Sequence, residues 1–427
     1  MAREMKDSGI EWIGEIPEEW DILRLKSLFS FGKGLPITKD SLVEIGVPVI
    51  SYGQIHGKYN SGVHLHNELI RYVPETYLTT NPESLVHEGD LILADTSEDI
   101  DGCGNCAYID SNMQVFAGYH TIILKASKQT NNKYIAYLMK TDPWRSQLRS
   151  KVSGVKVFSI SRKIISNAVI ILPPVPTQHR IAAFLDRKCA EIDSVIADTQ
   201  KTIEEYKALK QSIITEAVTK GVRGERKMKD SGVEWIGKIA DGFQLTKLKY
   251  LCTILDQYRS PIAADQRSQK GEILYDYYGA SGVIDKIDGY TIDDHVMLIG
   301  EDGANLRMRN LPLMYEVNGK VWINNHAHIL KPTEKTDFYF LFFALECIDI
   351  NVYITGSAQP KLSQDNLKQI WVPTPSYSEQ REIAAYIREK CTAIDTLIAA
   401  KQQLLTELES YKKSVIYEYV TGKKEVL

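Results

Sequence analysis

The chain has 427 residues, with 51 basic and 55 acidic side chains, which gives a formal net charge of −4. A hydrophobic fraction of 44% and a charged fraction of 25% are typical of a folded globular protein and exclude a disordered polymer, a fibrous repeat and a strongly basic chromatin-type protein. The sequence has no run of about 18 apolar residues, so we expect no membrane span. Six cysteines are too few for a disulfide framework, and we expect a cytoplasmic protein.

The first segment of the chain occurs twice. Residues 5–14 read MKDSGIEWIG and residues 228–237 read MKDSGVEWIG, at an offset of 223. A second match, at an offset of 202, joins residues 178–219 to residues 380–421. Two copies are too few for a solenoid. The pattern therefore indicates a duplicated gene with two divergent central bodies.

The first body, from about Ser27 to Leu172, has the pattern of a mixed α/β module. Apolar runs bounded by turn residues predict strands over 47–51, 90–94 and 120–124, and a helix over 133–141. A glycine loop at Ser153-Gly154, a short helix capped by Ser161 and a last apolar strand close the body.

Basic side chains are concentrated between Lys133 and Lys163, where Asp142 is the only acid and the segment carries +7. Interleaved aromatic residues make this stretch typical of a surface for a phosphate backbone, with a solvated helical surface as the alternative. From it we predict DNA contacts by Lys133, Lys140, Arg145, Arg149, Lys151 and Lys156. Residues 83–101 contain seven acids and no Lys or Arg, so the modest net charge hides strong local polarity and does not exclude DNA.

The segment from Thr177 to about Thr219 contains neither Gly nor Pro and predicts a long helix. Thr177 is the predicted N-cap, and Gly221 and Gly224 follow the helix. About 43 residues at 1.5 Å per residue would make a helix ~65 Å long.

The second body, from about Tyr250 to Val372, repeats the α/β pattern. Strands are predicted over 295–299, 321–323 and 327–330, and a helix over 337–348. Arg can read guanine, and Asn or Gln can read adenine, through paired hydrogen bonds in the major groove. The loops predict DNA contacts by Arg307, Arg309, Asn324, Asn325, Gln359 and Lys361. A structural or solvent role is the alternative for each of them.

The tails of the two halves are the matching segments 178–219 and 380–421. Apolar residues recur at heptad spacing in both tails, and each position in one tail maps onto the other at the offset of 202. The predicted pairing positions are Ile192, Val195, Tyr206, Leu209 and Ile213 in the first tail and Ile394, Leu397, Leu404, Leu408, Tyr411 and Val415 in the second. We predict that the two helices pair in antiparallel orientation, which would keep Cys189 and Cys391 too far apart for a disulfide. Two separate amphipathic helices, each packed on its own body, are the alternative.

Motifs for catalysis and metal binding are incomplete. The sequence has no GxxxxGK[ST] phosphate loop, and Cys103 and Cys106 form one isolated CxxC pair. His326 and His328 have no identifiable third ligand. We therefore predict no catalytic residue and no metal site, and a binding module rather than an enzyme.

The repeated segments that begin the two halves, called heads here, and the two tails together resemble a known family. The heads WIGEIPEEW (12–20) and WIGKIADGF (235–243), and the tails at 173–193 and 373–395, resemble specificity subunits of type I restriction–modification enzymes. The resemblance covers essentially the whole chain. The second head departs from it only slightly, with Ala240 and Phe243 in place of Pro17 and Trp20.

The resemblance implies a mixed α/β fold with two target recognition domains, a pair of long antiparallel coiled-coil helices and an internal pseudo-two-fold repeat. The corresponding boundaries are 1–172 and 228–374 for the recognition domains, and 173–227 and 375–427 for the helical regions. Each domain would read one half of a bipartite, asymmetric site in double-stranded DNA. The helices would set the spacing and dock two modification (methyltransferase) subunits, and through them the restriction (endonuclease and translocase) subunits.

The same resemblance implies that this chain binds no cofactor. S-adenosylmethionine, ATP and Mg²⁺ would be used by the partner subunits. Two other classes of function remain open: a non-catalytic coiled-coil scaffold without sequence-specific DNA readout, and a self-contained nuclease or methyltransferase.

Overall fold

The computed structural model describes residues 3–57, 60, 62–126, 129–154, 156–267 and 272–426. The chain divides into two compact units, of which unit 1 is Met1–Asp198 with Leu404–Leu427 and unit 2 is Thr199–Gln403. Each unit therefore contains one α/β body and a segment of each long helix, and the predicted mixed α/β class is confirmed. The four segment boundaries proposed from the sequence stay a prediction.

Unit 1 is built from short strands and short helices. The strands are β1 (Met5–Asp7), β2 (Glu15–Pro17), β3 (Asp21–Arg24), β4 (Phe29–Lys33), β5 (Val47–Ile50), β6 (Arg71–Val73), β7 (Leu85–Val86), β8 (Leu91–Ala94), β9 (Thr96–Ser97), β10 (Cys106–Tyr108), β11 (Val115–Ala117), β12 (Thr121–Ala126), β13 (Phe158–Ser159) and β14 (Val169–Leu172). The helices of the body are α1 (Tyr52–Ile55), α2 (Tyr77–Thr80), α3 (Asn132–Met139), α4 (Asp142–Arg149) and α5 (Arg162–Ser166). The single helix predicted over 133–141 corresponds to α3, which ends before Pro143 opens α4.

Two four-stranded sheets form the body of unit 1, in the orders β10-β8-β12-β4 and β6-β5-β11-β7. β8 is buried on both faces, which explains why its sequence is an unbroken apolar run. Three two-stranded pairs, β1-β2, β3-β14 and β9-β13, complete the unit.

Unit 2 contains fewer and longer strands. They are β15 (Met228–Asp230), β16 (Lys238–Ala240), β17 (Gln244–Lys247), β18 (Cys252–Ile254), β19 (Tyr275–Gly279), β20 (Gly282–Ile287), β21 (Ile292–Gly300), β22 (Met314–Ile323), β23 (Ala327–Pro332) and β24 (Trp371–Thr374). Its body helices are α7 (Asn305–Met308), α8 (Phe338–Cys347) and α9 (Gln364–Lys368). The sheet order is β18-β23-β21-β22-β19-β20, with β15-β16 and β17-β24 as separate pairs.

The duplication extends into the bodies, where the sequences do not match. Leu124 of β12 pairs with Phe31 of β4, and at the equivalent place Leu330 of β23 pairs with Ile254 of β18. The order β8-β12-β4 in unit 1 thus reappears as β21-β23-β18 in unit 2. The two bodies therefore share these three strands in the same order, although their sequences differ.

The two long helices are α6 (Val175–Lys220) and α10 (Tyr377–Val420). α6 begins two residues before the predicted cap Thr177, because Pro176 fits the first turn of a helix, where its missing N–H would have no partner. Gly221 follows the helix with φ of +76°, as expected for a residue just beyond a helix end. Among the described helices, none is long and apolar enough to cross a membrane.

Contacts within each unit show antiparallel pairing of the helix segments. In unit 1, Lys412 donates to both carboxylate oxygens of Asp193 at 2.6 and 2.7 Å, and Phe184 packs on Tyr419 with ring centroids 4.3 Å apart. In unit 2, Lys210 donates to Asp395 at 2.7 Å, an ion pair at the equivalent positions. Pairing of the two helices is confirmed over these segments.

Four of the eleven predicted pairing positions lie one residue away from the buried line. Ile192, Ile394 and Val415 are buried, and Tyr206, Ile213, Leu404 and Leu408 are partly buried. Val195, Leu209, Leu397 and Tyr411 are between 46% and 51% exposed. At these turns the more buried residues come one position later, at Ile196, Lys210, Ile398 and Lys412. The structure shifts these four positions because an α-helix drifts from a strict heptad, and because lysine stems fill two of the places.

Candidate nucleic-acid interface

Three loops meet at one corner of each body, beyond the end of β8 or β21. The first corner consists of Asp95–Ser97, Gly118–His120 and the described part of 153–159. The second corner consists of 301–303, 324–326 and 355–361. Residues far apart in sequence become neighbours here.

Equivalent backbone hydrogen bonds hold the two corners. In the first, Asp95 N donates to His120 O at 3.1 Å and Ile160 N donates to Asp95 O at 2.8 Å. In the second, Glu301 N donates to His326 O at 2.8 Å and Leu362 N donates to Glu301 O at 2.7 Å. The scaffold is the same in both corners, while the side chains differ.

A glycine opens the third loop of each corner, as the sequence predicted. Gly154 has φ of +129° and Gly356 has φ of +79°, a region that favours glycine. A Cβ on Gly154 would lie 1.9 Å from Val157 O, and one on Gly356 would lie 2.4 Å from Gln359 O. The loops close where Ser159 N donates to Ser153 O at 3.0 Å, and where Lys361 N donates to Thr355 O at 2.8 Å. Glycine is therefore required for both tight loops.

The first corner carries an aromatic cluster that the sequence did not reveal. His120 has φ of +54°, an uncommon value for a residue other than glycine, and its Nδ1 lies 3.1 Å from Asp95 Oδ1. The ring of Tyr52 packs edge-on against Tyr119 at 6.0 Å and against His120 at 5.6 Å. Tyr119 is exposed. Backbone strain held in place beside an exposed aromatic side chain is typical of functional sites.

Sequence signals for this cluster are weak because its members come from three separate segments, the start of α1 and two loops. Tyr119 occupies the position that Asn325 occupies in the second corner, and His120 that of His326, as the shared hydrogen bonds show. Only the strand pairing that unites the loops makes this correspondence visible.

The second corner brings together four of the six residues predicted for its body. Asn325 and Gln359 are exposed, and Arg307 donates to Gly356 O at 3.4 Å. Lys361 is exposed and lies 3.1 Å from Glu301 Oε1. These four side chains sit at the corner with polar groups available for a ligand.

The other two predicted residues of this body have structural contacts. Asn324 is buried, and its Oδ1 accepts from His326 N at 2.8 Å, which closes the turn. Arg309 has φ of +52° and donates to Glu346 O at 3.2 Å and to Ile348 O, both at the end of α8. These contacts favour structural roles, and a DNA contact by either residue stays a prediction.

Four members of the basic segment are also engaged within the body. Lys133 donates to Asp186 at 2.8 Å, and Lys140 donates to Asn60 Oδ1 at 2.6 Å. Arg145 and Arg149 both donate to the carbonyl of Asp101, in the acidic stretch. These basic side chains are therefore held by contacts inside the body, two of them to the backbone of the acidic stretch.

Lys151 and Lys156 remain exposed, next to and within the third loop of the first corner. They are the members of the predicted set placed to meet a phosphate backbone beside Tyr119. DNA contact by Lys133, Lys140, Arg145 or Arg149 stays a prediction that would require their present hydrogen bonds to change.

Burial changes the ionisation of two basic side chains in this segment. Desolvation lowers the pKa of Lys140 to about 8 and lowers the pKa of Arg145. Cys106, also buried, has its thiol pKa raised by desolvation. Burial is the largest cause of all three shifts, which fits groups packed inside a body.

The geometry defines a protein with two recognition bodies of one framework, each presenting different side chains at the same corner, and paired helices. Comparison with known proteins gives the particular family. The family model for the type I restriction modification DNA specificity domain matches residues 17–207 and 240–410, well over half of the chain. The chain belongs to this family, and its role is in DNA sequence specificity.

One relative matches almost the full length of the chain, and another matches part of it. The MjaVIII type I restriction enzyme specificity subunit of Methanocaldococcus jannaschii is 24% identical, over 96% of this chain and 94% of its own. A putative type I restriction enzyme specificity subunit of Haemophilus influenzae is 32% identical over 37% of each chain. A solved structure titled for complex assembly and conformational transition of the type I R-M system has the same fold, with a TM-score of 0.72 at 14% identity, covering 96% of this chain and 99% of that one.

Proposed function

We propose that the two corners read the two halves of a bipartite, asymmetric DNA site. The observation that carries this proposal is a shared backbone scaffold with a different exposed side chain before a shared histidine: Tyr119 before His120 in the first corner, and Asn325 before His326 in the second. A common framework presents both sets in the same way, and unlike side chains select unlike bases. Two identical corners would instead favour a symmetric site.

Phosphate contacts beside the bases would come from exposed lysines. Lys151 and Lys156 flank the first corner, and Lys361 lies at the second. Such contacts position a protein on the duplex without carrying sequence information.

The long helices serve, in this proposal, to set the spacing between half-sites and to dock two modification (methyltransferase) subunits and, through them, restriction subunits. The chain itself is non-catalytic and binds no cofactor, and the partners use S-adenosylmethionine, ATP and Mg²⁺. With DNA as the target, the expected location is the cytoplasm. The names of the relatives, all specificity subunits, support this division of labour.

Methylome sequencing of a host carrying this gene and its partner genes tests the proposal. Tyr119→Ala should relax the methylated sequence at one half-site, and Asn325→Ala with Gln359→Ala should relax it at the other. Matched controls are Ile45→Ser and Tyr250→Ser, which change strongly exposed side chains outside the corners.

Relaxation confined to the expected half in each case supports the proposal. A variant that weakens methylation of all sites equally, with the sequence unchanged, would show that its corner does not read bases. A non-catalytic scaffold without DNA readout predicts no change of sequence in any variant, and methylation by the purified chain without partners would indicate an enzyme.

A further inference from the structure

A cluster of charged side chains lies beneath the second corner, on the inner side of its loops. Its centre is His328, whose side chain is 1% exposed, beside Asp256, whose side chain is 8% exposed. Arg259, Glu301 and Lys361 complete the cluster. A buried histidine among charges requires a structural or functional explanation, because burying an ionised group is costly unless it is well paired.

Both ring nitrogens of His328 face hydrogen-bond acceptors. Nδ1 lies 2.7 Å from Asp256 Oδ2, and Nε2 lies 2.8 Å from the carbonyl oxygen of Leu362. An ionised carboxylate and a carbonyl can only accept. The two hydrogen bonds therefore form together only when the ring carries a proton on each nitrogen, and so a positive charge.

The surroundings are suited to a charged ring. Burial alone would raise the pKa of Asp256. The hydrogen bond from His328, the positive charge of His328 and the positive charge of nearby Arg259 lower that pKa below its ordinary value. Burial likewise opposes ionisation of Glu301, and the hydrogen bonds from Arg259 and Lys361 lower its pKa overall. Glu301 Oε2 lies 3.9 Å from Nε2 of His328. Both carboxylates are thus ionised near neutral pH and balance the charge of the ring.

Leu362 connects this cluster to the reading loop. It directly follows Lys361 and lies one residue beyond the loop 355–361. Its N–H donates to Glu301 O at 2.7 Å while its carbonyl accepts from His328. The position of the loop therefore depends on whether Nε2 carries a proton, because an unprotonated Nε2 would face the carbonyl with a lone pair.

We propose that doubly protonated His328 is a positioning residue that holds loop 355–361 in place at the second corner, and that loss of its Nε2 proton loosens this loop. The Nδ1 proton stays, because the ionised carboxylate of Asp256 is the stronger acceptor. The holding of the loop stands on the contacts above. The consequence for DNA reading rests, in addition, on the proposed function of the corner.

The first corner provides an internal control, because its framework has different residues at these places. Ile122 occupies the position of His328, and its register partner Lys33 occupies that of Asp256. The equivalent loop of the first corner therefore lacks the histidine contact. Any pH effect of His328 should be confined to the second corner.

The charged groups facing His328 come from several elements. Asp256 and Arg259 follow β18, Glu301 follows β21, and Lys361 lies on the loop itself. His326 pairs with Asp302 at 2.8 Å on the exposed side of the same corner and is the other imidazole to be separated experimentally. Histidine titrates between about pH 5 and 8, where the two carboxylates stay ionised.

Hydrogen exchange of the full-length protein tests the holding of the loop. Between about pH 5.5 and about pH 8.5, protection of the Thr355, Lys361 and Leu362 amides should fall about tenfold after correction for intrinsic exchange. Protection of Ser159 and Ile160 in the first corner should be the same in His328→Gln as in the wild type at each pH. His328→Gln, which cannot carry the charge, should remove the pH dependence, and His326→Gln should retain it.

The wild-type pH series needs no variant, so the test remains decisive if His328→Gln fails to fold. Absence of any pH dependence at the Thr355, Lys361 and Leu362 amides would overturn the proposal. Disappearance of the dependence in His326→Gln would also overturn it, because the responsible histidine would then be His326.

DNA binding by the complex with modification subunits separates this inference from the proposed function. Raising the pH should reduce discrimination at the second half-site several-fold more than at the first. If the loop loosens with pH but discrimination at both halves stays equal, His328 holds the loop and the second corner is not the reader. If the loop itself does not respond, the inference about His328 fails whatever the corner reads.

Discussion

At the scale of single residues, the structure separates charges that face solvent from charges that hold the body together. Lys140 and Arg145 belong to a strongly basic stretch of sequence, yet their donors are engaged by Asn60 and by the backbone of residues 101–103. Lys151 and Lys156, in the same stretch, are exposed. Sequence shows the sign of a charge but not the partner that it meets after folding.

Burial of Lys140 gives a measurable pH signature. Its pKa is lowered from 10.5 to about 8 by desolvation, so between these values the unfolded chain holds a proton that the folded protein has released. Stability must therefore rise with pH across this window, relative to a chain without the amine. The full effect is at most about 3 kcal/mol.

The measurement compares denaturant unfolding of wild type and Lys140→Met from about pH 7.5 to about pH 10.5. The difference in free energy of unfolding, wild type minus variant, should increase with pH. The exposed Lys151→Met serves as the control and should show a flat difference. If the difference between wild type and Lys140→Met instead falls as the pH rises, the folded protein stabilises the charged form of the Lys140 amine.

At the scale of elements, sequence predicted what is local and missed what is assembled from distant parts. The cap at Ser161 is confirmed, because a side chain that accepts from a helix N–H three residues on is a local signal. The first corner was not predictable, because residues 95, 120 and 153 become neighbours only through strand pairing. Heptad spacing located both long helices but placed four of the eleven pairing positions one residue early.

That shift of the buried line predicts which helix substitutions cost stability. Ile203 is 5% exposed and was not on the predicted line, whereas Leu209 was on the line and is 48% exposed. Ile203→Ala should therefore lower the free energy of unfolding by about 2–4 kcal/mol, and Leu209→Ala by less than about 1 kcal/mol.

Denaturant unfolding of the full chain, followed by the helical signal in circular dichroism, gives both values. The second helix offers a matched pair at the offset of 202, with partly buried Leu405 in place of Ile203 and Tyr411, 51% exposed, in place of Leu209. If Leu209→Ala lowers the free energy of unfolding more than Ile203→Ala does, the buried positions are those that the heptad spacing predicted.

The exposed loop of the first corner makes a separate prediction about salt. Lys151→Ala with Lys156→Ala should reduce the slope of log affinity against log salt by ~1 for each phosphate that is no longer neutralised. Arg149→Ala, which removes hydrogen bonds to Asp101 and Asp142 inside the body, should instead lower stability with little change in slope.

The salt titration uses the complex with modification subunits and DNA that carries its methylation site. Melting of each variant, recorded in parallel, distinguishes weaker binding to phosphates from incomplete folding. An unchanged slope in the double lysine variant would show that this loop does not meet the phosphates.

At the scale of the whole molecule, the duplication explains how a modest net charge accompanies a DNA-reading role. In unit 1 two arginines of the basic stretch donate to the backbone of the acidic stretch, and the exposed basic groups considered above lie at the corners. A lone chain of this kind should bind non-specific DNA weakly, because that binding depends on the number of phosphates neutralised. Affinity is then completed by the partner subunits that we propose.

The duplication also predicts the behaviour of a half-length fragment. Unit 1 needs the end of α10, because Val415 and Val420 are buried in its core and Tyr134 donates to Val420 O at 2.9 Å. A fragment of residues 1–227 lacks this segment, but its own Ile213 and Val218 stand at the equivalent positions, 202 residues earlier.

A second copy of the fragment can therefore supply the missing segment, including Lys210 in place of Lys412 opposite Asp193. We expect a dimer by light scattering and, with modification subunits, methylation of a symmetric site made of two copies of the first half-site. Val218→Asp, which puts a charge at a buried position, should leave the fragment monomeric. A wild-type fragment that stays monomeric at high concentration would show that the two helical segments are not interchangeable.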